Sequence, residues 1–390
     1  MVPAKIITLY NLPNYKFSMI PFNKPYLTGQ EVLRISEAHA LGQLSGDGHF
    51  TALCSKWLEQ NTGTHRALLT HSCTAALEMA AILLDIQPGD EVIMPSYTFV
   101  SSANAFVLRG GIPVFVDIRK DTLNIDETLI EEAITPKTKA ILPVHYAGVA
   151  CEMDAIMEIA DKHQLFVVED AAQGIMSKYK GRSLGSIGDL GCLSFHETKN
   201  IISGEGGALL INNKIFTNRA EIIREKGTDR NQFFRGEVDK YSWQDIGSSF
   251  LPGETMAAFL FAQLEEAQSI TRERLEIWNH YNEFCSLSGP FKQFRLPFIP
   301  EQCEINGHLY YFVMKDQITR DLFIAYMKSE GIHCIFHYIP LHDSKAGKKY
   351  GRIGSKMTVT ESLSNQIVRL PLWIGLDPSI VTTAISNKYC

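Results

Sequence analysis

The chain has 390 residues, 45% hydrophobic and 21% charged, with a net charge of −6. That composition is globular and long enough for a large domain plus a smaller one, and without a long basic run it carries no nucleic-acid footprint. Eight cysteines without CxxC or His/Cys ligand spacing read as buried thiols of a reducing cytosol, so neither a disulfide framework nor a metal is expected, and no apolar run reaches the ~18 residues of a membrane span.

Residues 1–18 form neither a good signal peptide nor an obvious fold element. A more domain-like start, MIPFNKPYLTGQE, opens at Met19, so the preceding stretch reads as an extension. From Pro21 to Gln60 the pattern is turn, helix, glycine loop, helix. The loop LSGDGHF, Leu44 to Phe50, reads as flexible. It is either a plain connector or, because Gly46 and Gly48 carry no side chain, a segment that approaches a ligand closely. In RALLTHSCTAALEMAAILL a short strand precedes a helix beginning at Ser72 to Thr74. Its first turn offers unpaired N–H groups and the positive end of the dipole. That is an ordinary N-cap or a phosphate cradle.

Strands and helices then alternate as far as FVVEDAAQ, which predicts a mostly parallel sheet covered on both faces. Ligands on such sheets lie at the carboxyl ends of the strands, where Phe99, Asp170 and Gln173 fall. Asp170 ends an apolar strand, and a buried carboxylate there needs a cationic partner or caps the next turn. Phe99 packs in the core or stacks on a flat cofactor. The glycines of SLGSIGDLG do not open a helix after a strand, so a dinucleotide fingerprint is weak. Next, LGCLSFHETKNIISGEGGALLINN reads strand, turn, strand, with Lys199 between. A lone lysine at the mouth of a sheet is ordinarily a solvated charge. Together with Asp170 and the helix start at Ser72, it matches what pyridoxal phosphate needs: an amine for a Schiff base, an anion for the pyridine nitrogen and donors for the phosphate.

Beyond the lysine, the segment ending in GSSFLPGE becomes a long polar and aromatic loop, mobile or functional. Glu254 to Leu287 reads as one long amphipathic helical region leading to a smaller α+β unit, in which HLYYFVMKD and IHCIFHY are expected strands. HYIPLH, His337 to His342, faces a cleft or packs structurally.

The ordered set THSCTAALE, PSYTFVSSAN, VEDAAQ, SFHETKN, GEGGALLIN, HYIPLH and RLPLW closely resembles the DegT-type sugar-nucleotide aminotransferases, a branch of the fold-type I pyridoxal-phosphate enzymes, from about Ile20 to the C-terminus. The resemblance implies an α/β fold: a large, mostly parallel sheet domain over residues 20–275 and a smaller C-terminal α+β domain over 276–390, after an extension over 1–19. SFHETKN followed by GEGG is similar to the dTDP-4-amino-4,6-dideoxygalactose transaminases of bacterial surface-polysaccharide synthesis, which act on dTDP-4-keto-6-deoxyglucose with L-glutamate. By position, the resemblance makes Lys199 the catalytic Schiff-base lysine, Asp170 the partner of the pyridine nitrogen, Gln173 a contact of the ring oxygen and Phe99 the stacking aromatic. It assigns Ser72, Cys73, Thr74 and Ser194 to the phosphate, and His337, Tyr338 and Arg230 to the sugar side. Many family members also supply an asparagine from the neighbouring subunit in a YNL-like motif. Here GSSFLPGE holds none, and Ser248 or Ser249 is the candidate replacement.

The resemblance further implies a cytoplasmic homodimer with shared sites, in which Arg230 to Tyr241 reach the neighbour. Its partners would be a nucleotide sugar and L-glutamate, with no nucleic acid or membrane. The rival substrates are a 3-keto sugar, a UDP-linked sugar or one giving a gluco product. A dehydratase on this fold would replace the lysine by histidine, and Lys199 stands against it. A silent sugar-nucleotide-binding protein would have no need of Lys199, Asp170 and Gln173 together.

Overall fold

The computed structural model describes residues 19–287 and 294–389. The reading of residues 1–18 as an extension lies outside them. Seven short runs are buried along nearly their whole length: Arg66–Thr70, Glu91–Pro95, Ile112–Val116, Thr138–Ile141, Phe166–Asp170, Leu190–Ser194 and Gly207–Ile211. With Arg352–Ile353 they form one eight-stranded sheet, in the spatial order 66–70, 207–211, 190–194, 166–170, 138–141, 91–95, 112–116, 352–353. Gly207–Ile211 runs antiparallel to both its neighbours, and the other pairings are parallel.

Because successive side chains of a strand point to opposite faces, each strand feeds two cores. Ile93, Val167 and Leu210 enter one, while Val92, Val168 and Leu209 enter the other. Both faces are therefore covered, as the near-continuous apolar runs predict.

A third core lies in the C-terminal part. Tyr310–Val313 pairs antiparallel with Ile367–Leu370, and the helices Ala267–Leu287, Gln317–Ser329 and Pro378–Tyr389 contribute Trp278, Phe323 and Ile385 to it. Two segments cross between the units. Arg352–Ile353 adds an edge strand to the large sheet beside Val114 and Phe115. Ile20 bridges to Ile332 and packs on the third core.

Three sequence expectations change. The helical region from Glu254 is two helices, Glu254–Glu265 and Ala267–Leu287, because Glu266 leaves helical geometry at φ −102°, ψ 11°. IHCIFHY is not a strand. It makes only isolated bridges at Ile332 and Ile335, and the Phe336 carbonyl is taken by Arg369 instead. The loop at LSGDGHF is pinned to the chain itself. The Glu254 carboxylate accepts the amides of Gly48, Phe50 and Thr51 at 3.1, 2.7 and 3.1 Å, and Asp47 pairs with Arg224 at 2.5 Å. A Cβ on Gly46 would lie 2.2 Å from the Pro252 carbonyl oxygen. The close approach that glycine permits is thus to the Pro252 carbonyl and the Leu251 side chain.

Candidate active site

The register of the sheet edge assembles the site. Gly207 lies opposite both Thr70 and Ser194, so the loop carrying Lys199 and the helix start at Ser72 rise from the same end of the sheet. Phe195 and Ile201, both buried, root the two ends of that loop. The Phe195 amide donates to Gly206, that of Glu197 to Gly204 and that of Lys199 to His196, at 2.9, 2.8 and 2.9 Å. The lysine is therefore presented on a fixed turn. Among the described residues no hydrogen bond or ion pair reaches its Nζ. Burial pushes its pKa below the ordinary lysine value; Cys73 and Asp170 oppose that shift, and Arg369 adds to it.

Asp170 ends its strand 5% exposed. Its Oδ2 accepts from Ser102 Oγ at 2.7 Å and its Oδ1 from the Ala172 amide at 3.1 Å. Thr98 holds Ser102 in turn, at 2.8 Å. No cation pairs with this carboxylate among the described residues. A buried carboxylate in that state fits a protonated ring nitrogen.

Ser72 is the N-cap of the helix Cys73–Leu83, its Oγ accepting from Ala75 N at 3.1 Å. That leaves the amides of Cys73 and Thr74 without an acceptor among the described residues. Thr74 Oγ1 lies 2.8 Å from Ser101 Oγ, in the first turn of the helix Val100–Val107, so two helix starts meet here. A Cβ on Gly207 would stand 2.4 Å from Cys73 N, which confines that position to glycine. Buried Ser194 ends its strand alongside. Free amides, hydroxyls and dipole ends converge as a phosphate requires. Amine, unpaired carboxylate and anion cradle together fit pyridoxal phosphate.

Phe99 is not a core residue: it caps the helix Val100–Val107 and is 58% exposed, so its ring is open to stacking. Gln173 Oε1 accepts from Ala147 N at 2.7 Å and its Nε2 donates to Tyr338 Oη at 2.8 Å. His337 stacks on Tyr338, ring centroids 3.8 Å apart, and its Nδ1 lies 2.7 Å from Tyr146 Oη. Burial holds His337 well below the ordinary histidine range, with help from the Arg369 charge. A groove of about 350 Å³ shares Tyr338 and runs out past Phe336, Arg320 and Glu361.

Arg230 does not join this group within the chain. It pairs with Glu225 at 3.3 Å and lies over the Phe234 ring. Ser248 and Ser249 are tied through their backbones to the segment Ile223–Lys226. Sequence reasoning gave no role to Ser101, Ser102, Tyr146 or Arg369. The first two stand inside the quoted PSYTFVSSAN and Arg369 opens RLPLW, so the motifs held them. The glycines of SLGSIGDLG do cradle an anion, but it is internal: the amides of Gly185, Ile187 and Gly188 bind the Glu169 carboxylate at 2.8, 2.6 and 2.7 Å.

Among the described residues no cluster of His, Cys, Asp and Glu could hold a metal ion, and no helix is long and apolar enough to cross a membrane. Comparison with known proteins agrees with the geometry. The model of the DegT/DnrJ/EryC1/StrS aminotransferase family matches residues 25–387, and the chain belongs to that family. It is 34% identical, over 83% of its length and 84% of the relative's, to the spore coat polysaccharide biosynthesis protein SpsC of Bacillus subtilis. Its fold is similar to the aminotransferase TlmJ of Streptoalloteichus hindustanus, with a TM-score of 0.86 and 28% identity over 94% of this chain and 98% of that one. It is equally similar to the PLP-form of the putative sugar aminotransferase Spr1654 of Streptococcus pneumoniae, with a TM-score of 0.86 and 27% identity over 95% and 98%.

Proposed function

We propose that this pyridoxal-phosphate-dependent sugar aminotransferase uses Lys199 to move an amine from L-glutamate to dTDP-4-keto-6-deoxy-D-glucose. The products are 2-oxoglutarate and dTDP-4-amino-4,6-dideoxy-D-galactose, a sugar for surface polysaccharide. The observation that carries the chemistry is the juxtaposition of an unpaired, partly desolvated Lys199 with an unpaired, buried Asp170. The substrate rests on SFHETKN and GEGG, and on a polysaccharide relative that is 34% identical.

Bound pyridoxal phosphate supplies the electron sink that makes an amino acid's α-proton removable. Lys199 holds the cofactor. Its amine, whose pKa burial lowers, would take and return that proton. Asp170 supplies the anion for the ring nitrogen, and Ser102 and Ala172 keep the carboxylate aimed. The amides of Cys73 and Thr74 and the hydroxyl of Ser194 hold the phosphate. Phe99 covers the ring, and Gln173, held by Ala147 and Tyr338, meets the ring oxygen. His337 and Tyr338 line the sugar side.

The site is shared across a homodimer, with Arg230 to Tyr241 reaching the neighbour. This segment and the turn that follows carry Phe234 and Trp243, 68% and 82% exposed, an apolar surface of the kind that marks an interface. A fully active monomer by light scattering would refute that arrangement.

Mass spectrometry and proton NMR of the product from protein, glutamate and dTDP-4-keto-6-deoxyglucose test the reaction. An axial C4 amine is expected. An equatorial amine keeps the enzyme class and changes the sugar. No product, with glutamate still converting the cofactor to its amine form, rejects this sugar.

A further inference from the structure

Two imidazoles of the interior differ in how their nitrogens are used. His145 uses both: Nδ1 accepts from the Cys151 amide at 3.2 Å, and Nε2 lies 2.9 Å from the Glu169 carboxylate. His308, half-buried, uses one. Its Nδ1 lies 2.9 Å from Asn200 Oδ1. Asn200 Nδ2 already donates to the Asn306 carbonyl at 2.8 Å, so the oxygen of that amide meets the ring, and Nδ1 must carry the proton. In a neutral ring Nε2 is then a bare lone pair. Among the described residues no hydrogen bond reaches it.

The ring is fixed in place. The His308 amide donates to Asn306 Oδ1 at 3.0 Å, and Asn306 Nδ2 donates to the carbonyls of Gln173 and Ile175 at 2.8 and 2.7 Å. Arg274 holds the carbonyls of Gly307 and His308, at 3.2 and 2.8 Å. Asn200, which follows Lys199 in the chain, is buried. The imidazole is thus tied to the residue after the lysine and, through Asn306, to the backbone of Gln173. The charged groups that bear on it are Lys199, Arg274 and Arg369, and His337 is the titratable ring beside it. No acid is among them. Burial, and then the Lys199 charge, hold His308 well below the ordinary histidine range. The ring therefore stays neutral and its second nitrogen stays free. The lysine site contains this group, and no step above uses it.

We propose that His308 is the positioning residue for the Lys199 amine, its Nε2 accepting a hydrogen bond from that amine whenever it carries a proton. The inference rests on the reading of Lys199 as the amine-handling group and adds the acceptor which that group requires. On taking the α-proton the amine becomes an ammonium in a partly desolvated site that already holds Arg369. A cation there is costly without an acceptor. A neutral lone pair supplies one and adds no charge. The proton stays on the lysine: one N–H points at Nε2, and another is free to return to the reacting carbon. A carboxylate in the place of the imidazole would hold the ammonium as an ion pair and raise its pKa, opposing the return of the proton.

The test uses His308→Asn and His308→Gln. The shorter amide reaches the place of Nδ1 and can keep the bond to Asn200; the longer one reaches the place of Nε2 and can turn its oxygen to the lysine. Amine loading of the holoenzyme from L-glutamate is followed by absorbance without sugar, alongside thermal melting. His308→Asn should melt as the wild type does and load roughly 10- to 100-fold more slowly. Its half-saturating glutamate should be unchanged, and the isotope effect of α-deuterated glutamate should rise. His308→Gln should melt lower and recover part of the rate. On cofactor-free protein, Lys199 is labelled with acetic anhydride across pH and read by peptide mass spectrometry. The midpoint should be lower in His308→Asn than in the wild type or His308→Gln. A wild-type loading rate in His308→Asn overturns the proposal, and so does a loss of rate that follows melting temperature across both variants. A wild-type holoenzyme that loads amine from no amino acid would instead overturn the reading of Lys199 itself. The acceptor is then decided by the labelling alone, where an unshifted midpoint overturns it.

Discussion

Glu169 and Asp170 are adjacent on one strand and face opposite sides of the sheet, yet they are treated in opposite ways. Glu169 is 0% exposed and accepts three amides, of Gly185, Ile187 and Gly188, besides standing 2.9 Å from His145 Nε2. Asp170 is nearly as buried and receives one hydroxyl and one amide. Glu254, on the far helix, repeats the first pattern with three amides, and the Thr51 hydroxyl completes it. Carboxylates that hold the fold together are saturated by their own chain. Among the described residues the one at the carboxyl end of the sheet is left without a cation, and Lys199 without a hydrogen bond or ion pair at its amine. Incomplete satisfaction in a folded interior is costly, so it marks where a ligand completes the structure.

The sharpest break of that comparison is Lys199→Ala. It should lower transamination by more than about 10³-fold with an unchanged fold, checked by kcat and circular dichroism; near-normal turnover would displace Lys199 from its role. Asp170→Asn should follow, with a loss on the order of 10²-fold in kcat and under about 1 kcal/mol in stability, since an amide keeps the shape, its oxygen still accepting from Ala172 N and its NH2 donating to the Ser102 hydroxyl, which can turn to accept. The neighbouring change should invert this. Glu169→Gln replaces an acceptor of three amides with a group that must turn a donor towards one of them. It should cost about 3 kcal/mol by urea unfolding while the residual folded enzyme turns over. If both variants lose activity and stability equally, the division between the two faces is false.

Ser102→Ala removes only the support of Asp170. A fall of roughly tenfold in kcat is expected, from about 1 kcal/mol of lost hydrogen bonding, with cofactor affinity falling in step. The smallest effect is on pH dependence. Burial lowers the Lys199 pKa in the folded chain, so between that value and the ordinary 10.5 the unfolded chain binds more protons. Folding stability of the cofactor-free protein should therefore rise with pH across this window. Lys199→Met, which titrates no proton, should lack that increment in unfolding experiments between neutral pH and pH 10. Parallel stability curves for the two proteins would contradict a Lys199 pKa lowered by burial.

Much of this was legible in the chain. Buried runs alternating with helical spacing dictated a parallel sheet, because period and burial are local consequences of side-chain direction. Ser72 announced a helix start, and the strand end at Asp170 placed a carboxylate on the rim. Phe99 was harder. Its chemistry suits a core as well as a stacking face, and only its position beyond the strand, capping the next helix, left it exposed. Arg369 stood inside RLPLW with nothing local to mark its contact with Phe336, and Tyr146 meets His337 from far away in sequence.

By itself the sequence determined most of the elements, the two-faced sheet, and the lysine, aspartate and helix start from which a cofactor could be named. Tertiary structure decided which polar groups were satisfied. Hydrogen bonding across a hundred residues or more depends on register and crossing, as when Glu254 closes the helix start at Gly48 or Gly207 is brought onto Cys73. Whether a buried charge is scaffold or site is the sum of those remote contacts, and no local pattern contains it.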